Sequence, residues 1–124
     1  MENRIKKRIL LVDDEESLCS ILKMNLEKKG FEVAVAYSGE ECLEMLDRSI
    51  PDVIILDLIL PKLSGYEVCA KIKVDYSPNI PVIIHTALAD TLNENLSMMC
   101  KADAYVAKPH GPNELEKAIQ KFTA

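Results

Sequence analysis

Five short apolar segments, rich in β-branched residues, recur along the chain and predict β-strands. Most of them are apolar at nearly every position instead of alternating with polar residues. This pattern is typical of parallel strands that are covered on both faces of a sheet. The segments are RILLVD (8–13), FEVAVAY (31–37), DVIILD (52–57), PVIIHT (81–86) and AYVAK (104–108).

The segments between the strands show helical spacing of apolar residues, together with residues that start or end helices. A serine or threonine followed three residues later by glutamate predicts helix starts at Ser38, Ser64 and Thr91. The first predicted helix ends at Gly30, and Pro112 suits the first turn of the last one. The predicted buried faces carry Leu18, Ile21, Leu22 and Leu26 in the first helix and Leu115, Ala118, Ile119 and Phe122 in the fifth.

Strand and helix thus alternate five times along the chain. This order predicts a parallel sheet with right-handed crossovers and helices on both faces, which is a doubly wound α/β domain. The fourth helix, within DTLNENLSMMCK (90–101), rests on a thin apolar stripe. We expect a single domain over residues 1–124, with a short basic lead-in over residues 1–7.

Composition is that of a folded globular domain, since 48% of the residues are hydrophobic and 28% are charged. The net charge of −5 argues against a nucleic-acid-binding surface. The chain has no apolar run of the roughly 18 residues that span a bilayer, and no signal-peptide core or lipidation motif begins it. Four scattered cysteines without a C-x-x-C pair suit buried positions in a reducing compartment. We therefore expect a cytoplasmic protein that binds neither membranes nor nucleic acids directly.

The carboxyl ends of the predicted strands carry the residues that are equipped for chemistry. The first strand ends in Asp13 and Asp14, the third in Asp57, the fourth in Thr86 and the fifth in Lys108. In open α/β sheets, ligands bind in the crevice beyond these ends. If the first and third strands are neighbours, the five side chains converge on one crevice.

Three carboxylates in one crevice repel each other unless a cation is present. Carboxylate oxygens without His or Cys suit Mg²⁺ or Mn²⁺. Lys108 could pair with Asp57 at rest and with a phosphoryl oxygen later, and the Thr86 hydroxyl could donate to that oxygen. A carboxylate in these surroundings is equipped to attack phosphorus and form an aspartyl phosphate.

Two other classes of protein use some of the same residue types at the ends of strands. A phosphatase of the haloacid-dehalogenase kind also has an Asp nucleophile, Mg²⁺ and a Lys, but its nucleophile lies in a D-x-D motif after the first strand and it usually carries a cap insertion. A flavodoxin-like cofactor binder would need a phosphate cradle after the first strand, where this chain has the four acids DDEE (13–16). Both alternatives fit the sequence less well than a phosphoacceptor does.

The sequence resembles the receiver domain of bacterial two-component response regulators over nearly its whole length. The resemblance lies in the order and spacing of LLVDDEE (10–16), DVIILDLILPKLSGYE (52–67), PVIIHTA (81–87) and ADAYVAKPHGPNEL (102–115). It implies a flavodoxin-like fold of five βα units with sheet order 2-1-3-4-5. It also implies a regulatory phosphoacceptor that is not an enzyme, apart from catalysing its own phosphorylation and dephosphorylation.

The resemblance assigns the strand-end acids to phosphate and metal binding. Asp57 would accept a phosphoryl group from a phosphohistidine on a sensor kinase or phosphotransfer protein. Asp14, Asp57 and the backbone carbonyl of Ile59 would bind Mg²⁺ directly, and Asp13 would bind it through water.

The remaining strand-end residues would sense the phosphate. Thr86 and Lys108 would contact the phosphoryl oxygens, and Lys108–Pro109 would be a cis peptide. Tyr105 would turn inward when Thr86 moves toward the phosphate. The output surface would then be the face of the fourth helix, fifth strand and fifth helix, where a downstream effector or a phosphorylation-dependent dimer partner could bind.

The chain departs from the family pattern at four positions near the predicted output side. Lys101 stands where glycine is frequent, Ala104 where an acid is common, His110 where phenylalanine is frequent, and His85 where an aliphatic residue precedes the threonine. None of the four touches the predicted chemistry. They bear on the identity of the partner and on the strength of the coupling.

Overall fold

The computed structural model describes residues 6–77, 79–87, 101–108 and 113–123. Within them, five parallel strands form one sheet in the order β2-β1-β3-β4-β5. The strands are β1 (Arg8–Val12), β2 (Glu32–Ala36), β3 (Val53–Leu56), β4 (Val82–Thr86) and β5 (Ala104–Ala107). The predicted doubly wound fold and sheet order are confirmed, and each strand lies within the segment predicted for it.

Helices follow the strands as the alternating pattern predicts. They are α1 (Glu16–Lys28), α2 (Gly39–Arg48), α3 (Gly65–Lys71), a π-helix (Ile72–Tyr76) that continues α3, and a C-terminal helix (Glu114–Thr123). No helix in these stretches combines the length and the apolarity that crossing a bilayer requires. The fourth predicted helix with its start at Thr91, and the predicted Pro112 turn, lie outside the described residues.

The helix ends use the residues that the sequence indicates. The Ser38 hydroxyl accepts a hydrogen bond from the Glu41 N–H at 3.1 Å, and the Ser64 hydroxyl accepts one from the Glu67 N–H at 3.3 Å. These bonds satisfy backbone donors that the first turn of a helix leaves unpaired. After α1, Gly30 has a φ of 97°, which is the left-handed conformation that favours glycine at a helix end.

Helices cover both faces of the sheet, as the apolar strands require. One core cluster joins the sheet to α2 and α3 and includes Leu10, Val12, Ile54, Leu56, Ile84, Cys42, Leu46, Val68 and Cys69. The other joins the sheet to α1 and the C-terminal helix and includes Ile9, Leu11, Ile55, Ile83, Cys19, Leu26, Leu115 and Ile119. Ala118 and Phe122 pack against the second cluster, which confirms the predicted face of the last helix.

The buried face of α1 differs from the predicted one. Ile21, predicted to be part of that face, is 53% exposed, whereas Cys19 is fully buried. Leu22 and Leu26 lie with Cys19 on the face of α1 that packs against the sheet. The Cys19 thiol donates to the Asp13 carbonyl at the end of β1, so this side of the helix faces the sheet and Ile21 points outward.

The π-helix that continues α3 is not indicated by the apolar spacing. The Ser77 N–H donates to the Ile72 carbonyl, five residues earlier, at 3.0 Å. In this segment Lys73 is buried while Val74 is 81% exposed. Lys73 thus continues the buried face of Val68, Cys69 and Ile72, although a buried lysine beside an exposed valine is the reverse of the usual preference.

Three of the positions that depart from the family pattern are described. Lys101 has a φ of 57°, in the left-handed region that favours glycine. His85 is buried in β4 beside Val106 of β5, and Ala104 packs against the cluster that contains the C-terminal helix. His110 lies outside the described residues.

We predict that Gly65→Ala lowers the free energy of unfolding by about 1 to 3 kcal/mol, because a side chain at this position overpacks the fold. A Cβ on Gly65 would overlap the carbonyl of Asp57 and the Cα of Leu58, and backbone atoms cannot move aside by changing rotamer. Chemical denaturation measures the effect. Gly30→Ala is the matched control, since it adds only left-handed strain in open space. Equal costs for the two variants would contradict the close approach.

Candidate functional site

Three aspartates meet at the carboxyl ends of β1 and β3. Asp13 follows β1, and the Asp57 N–H donates to the carbonyl of Val12 on that neighbouring strand at 3.0 Å. Carboxylate oxygens of Asp13, Asp14 and Asp57 all lie within 4.8 Å of one another. Asp13 and Asp57 are buried, and Asp14 is exposed. The predicted convergence of these side chains is therefore present in the fold.

The two buried carboxylates are held in the same way by their own loops. Asp13 Oδ1 accepts a hydrogen bond from the Glu15 N–H at 2.9 Å, and Asp57 Oδ1 accepts one from the Ile59 N–H at 3.0 Å. In both cases the donor lies two residues further along the chain, which is a local turn typical of aspartate. One oxygen of each side chain is thereby fixed, and Oδ2 is directed toward the crevice.

Lys108 joins the two Oδ2 atoms across the end of the sheet. Its Nζ donates to Asp13 Oδ2 at 2.6 Å and to Asp57 Oδ2 at 3.1 Å. Side-chain exposure is 16% for Lys108, 2% for Asp13 and 8% for Asp57, so solvent screens these pairs only weakly. The sequence predicts a bond to Asp57, but the shorter bond goes to Asp13.

The acidic surroundings keep the Lys108 amine protonated. Burial by itself lowers the Lys108 pKa, but the hydrogen bond to Asp13 and the charges of Asp57 and Asp13 outweigh it and raise the pKa above its usual value of 10.5. The ammonium is therefore present throughout the neutral range. It supplies the positive charge that two buried carboxylates need when no metal is bound.

Thr86 and Tyr105 lie on the face of the sheet that α2 and α3 cover. Thr86 is fully buried at the end of β4, and its carbonyl accepts a hydrogen bond from the Lys108 N–H at 2.9 Å. Tyr105 pairs in register with Ile84 and packs against the core cluster of that face. Because side chains alternate along a strand, residues 84 and 86 point the same way. Thr86 and Tyr105 therefore share one side of the sheet.

Two predicted features of the site are only partly described. Ile59 is 50% exposed, and its N–H is used by Asp57. The proposed role of its carbonyl stays a prediction. Pro109, and with it the predicted cis peptide after Lys108, lies outside the described residues.

Cys19 contacts the backbone of Asp13, although the sequence does not indicate a role for it at the site. Its thiol donates to the Asp13 carbonyl at 3.4 Å. Burial, together with the Asp13 charge, raises the pKa of Cys19 to about 11, so the thiol keeps the proton that this bond requires. The one available signal is its position, a single turn into α1.

Comparison with protein families and curated proteins identifies the relatives of this chain. The family model described as "Response regulator receiver domain" matches residues 9–120. A probable transcriptional regulator ycf27 from Guillardia theta is 43% identical over 115 residues, which are 93% of this chain and 44% of that protein. The alkaline phosphatase synthesis transcriptional regulatory protein PhoP from Bacillus subtilis is 38% identical over 94% of this chain and 48% of its own length. The chain thus spans about half the length of these curated relatives.

Solved structures show the same fold. The response regulator TrrA from Thermotoga maritima, in complex with Mg²⁺ and BeF, has a TM-score of 0.85 and 34% identity, covering 94% of this chain and 98% of that one. The receiver domain of a sensor histidine kinase from Pseudomonas aeruginosa, with a magnesium ion coordinated in its active-site cleft, has a TM-score of 0.86 and 26% identity, covering 95% and 98%. Together with the matched family and the strand-end acids, these likenesses show that the chain belongs to the response regulator receiver domain family.

Proposed function

We propose that Asp57 of this receiver domain accepts a phosphoryl group from a phosphohistidine on a sensor kinase or phosphotransfer protein. The observation that supports this most is the surroundings of the Asp57 carboxylate. Its Oδ2 faces the Lys108 ammonium and lies beside the carboxylates of Asp13 and Asp14. Phosphoryl transfer depends mainly on positioning and on neutralising charge, and this crevice offers both.

Mg²⁺ fits the donor set of the crevice, and Mn²⁺ is the alternative. Three carboxylates within 4.8 Å of one another are hard oxygen ligands of the kind that both ions take. Asp14, Asp57 and the carbonyl of Ile59 would hold the ion, with Asp13 acting through water. When bound, the ion would neutralise negative charge on the transferred phosphoryl oxygens.

Three residues of this chain take part in the transfer in different ways. An Asp57 carboxylate oxygen forms the new bond to phosphorus as the phosphorus–nitrogen bond to histidine breaks, and the imidazole keeps that electron pair. Lys108, already protonated and beside Asp57, pairs with a phosphoryl oxygen. Thr86, at the end of the neighbouring strand, donates its hydroxyl to another. The site therefore requires no further base, because Asp57 reacts as the carboxylate.

Phosphorylation would be transmitted along β4 and β5. Thr86 and Tyr105 share one side of the sheet, so a shift of Thr86 toward phosphate opens space for the Tyr105 ring. The output would lie on the face of β5, the C-terminal helix and the predicted fourth helix, as a regulatory surface for a downstream effector or a dimer partner. We place this regulator in the cytoplasm, where a sensor kinase can reach it.

We predict that Asp57→Asn abolishes Mg²⁺-dependent phosphate uptake from acetyl phosphate, because the amide oxygen is a poor nucleophile. Phosphate-affinity electrophoresis or intact-mass measurement detects the phosphoprotein. Asp75→Asn, an exposed position in the π-helix, is the matched control and should keep the wild-type rate. Uptake by Asp57→Asn at the wild-type rate would show that another residue is the acceptor.

We predict that Lys108→Met lowers the free energy of unfolding by about 3 kcal/mol without metal, since it leaves Asp13 and Asp57 buried without a counter-charge. Mg²⁺ should then stabilise this variant more than it stabilises the wild type, because the ion replaces the lost positive charge. Denaturation curves with and without Mg²⁺ measure both effects, with the exposed Lys71→Met as control. An equal response to Mg²⁺ in all three proteins would contradict the shared crevice.

We predict slow loss of phosphate from the phosphorylated protein, because Ile59 and Leu88 follow Asp57 and Thr86 by two residues in the sequence, and aliphatic side chains give an attacking water no hydrogen-bond partner. Leu88 lies outside the described residues, so its part in this prediction rests on the sequence alone. Changing both to polar residues, as Ile59→Asn with Leu88→Gln, should speed the decay by about tenfold, which corresponds to about 1.4 kcal/mol in the barrier. Phosphorus NMR follows the decay. Ile50→Asn is a control of similar exposure away from the site. An unchanged decay rate in the double variant would refute this prediction.

A further inference from the structure

A second ion pair, between a buried lysine and an aspartate, lies at the opposite end of the sheet from the aspartate cluster. Lys73 Nζ donates to Asp103 Oδ2 and to the Ile80 carbonyl, each at 2.7 Å. The Lys73 side chain is only 6% exposed, whereas that of Asp103 is 33% exposed. Lysine is almost never buried to this extent unless it is paired. Lys73 lies four residues after Cys69, so it continues the buried face of α3, while Val74 points outward.

The Asp103 carboxylate also fixes the start of two strands. Its Oδ2 accepts a hydrogen bond from the Val82 N–H at 2.7 Å, and the Asp103 N–H donates to the Val82 carbonyl at 2.8 Å. Val82 is the first residue of β4, and Asp103 directly precedes β5. This two-way exchange aligns the two strands at their starts. The Lys73 ammonium, in turn, holds the Asp103 carboxylate in the position from which it accepts the Val82 N–H.

β5 depends on such an alignment because it is an edge strand. Among the described strands it pairs only with β4, through four residue pairs from Ile83↔Ala104 to Thr86↔Ala107. A slip of one residue in a strand sends every side chain to the other face. A short strand with one neighbour has few ladder bonds with which to resist such a slip.

The far end of β5 delivers Lys108 to the crevice. Lys108 follows the strand, and its N–H donates to the Thr86 carbonyl at 2.9 Å while its Nζ reaches Asp13 and Asp57. Asp103 and Lys108 are five residues apart, or roughly 16 Å of extended chain. An extended strand of four residues has little slack. A displacement at Asp103 is therefore carried to Lys108.

We infer that Lys73 and Asp103 are positioning residues, whose ion pair sets the register of β5 and thereby holds Lys108 against Asp13 and Asp57. This inference rests on the proposed function, because it concerns how the phosphoacceptor site receives its lysine. It gives the ion pair a role in the chemistry at the other end of the sheet.

The test compares Lys73→Met and Asp103→Asn with the wild type, under conditions where circular dichroism shows each protein to be folded. Lys29→Met is the matched control, because it breaks the 2.8 Å ion pair of Lys29 with Glu116, which does not involve β5. Two quantities are measured: the rate of Mg²⁺-dependent phosphate uptake from acetyl phosphate, and the NMR signal of the Lys108 ammonium without metal.

We expect Lys73→Met and Asp103→Asn to slow uptake at least about tenfold, since small misplacements of a reacting group cost rates of this order. The Lys108 signal should move toward the position of exposed lysines in the same variants. Lys29→Met should leave both quantities at wild-type values, and Lys73→Arg should restore most of each by keeping the ion pair.

The inference is overturned if folded Lys73→Met and Asp103→Asn show wild-type uptake, or if uptake falls while the Lys108 signal stays unchanged. If Lys73→Met does not fold, Asp103→Asn decides alone, because its amide oxygen still accepts from the Val82 N–H. If the wild type itself takes up no phosphate, the proposed function fails. The Lys108 signal in the variants then still decides whether the ion pair positions that residue.

Discussion

One ammonium group, Lys108 Nζ, holds two buried carboxylates together at the carboxyl end of the sheet. Its bonds to Asp13 and Asp57 join the ends of three different strands, β1, β3 and β5. Without this charge, burial of both carboxylates costs several kcal/mol, so the fold and the site depend on the same contact. The same ammonium group could also serve the reaction. It pairs with the two carboxylates at rest, and a phosphoryl oxygen would take their place beside it after the transfer.

That contact constrains the rest of the molecule. The β1–β3 pairing aligns Asp13 with Asp57, and Gly65 lets the following loop pass against the Asp57 backbone. Edge strand β5 carries Lys108 to this point, and we infer that the ion pair of Lys73 with Asp103 sets the register of that strand. The Thr86 carbonyl receives the Lys108 N–H and ties β4 to the same point. Strands β1, β3, β4 and β5 thus meet the site through short, specific contacts.

Much of this is predictable from the sequence because it depends on local patterns. Apolar runs indicate the strands, Ser38 and Ser64 indicate helix starts, and the topology brings the strand-end residues together. The sequence does not indicate the inward turn of Cys19, the π-helix or the Lys73–Asp103 pair. Each of these depends on packing between distant segments, and the pair joins residues that are 30 positions apart. Likewise, the spacing of residues in the sequence does not indicate that the Lys108 ammonium lies closer to Asp13 than to Asp57.

We propose that Asp57, and not a neighbouring acid, carries the phosphate. Borohydride reduction converts an aspartyl phosphate to homoserine, and peptide mass spectrometry then locates the converted residue in protein treated with acetyl phosphate and Mg²⁺. We expect homoserine at position 57 alone. Homoserine at position 13 or 14, or none in protein shown to be phosphorylated, would contradict it.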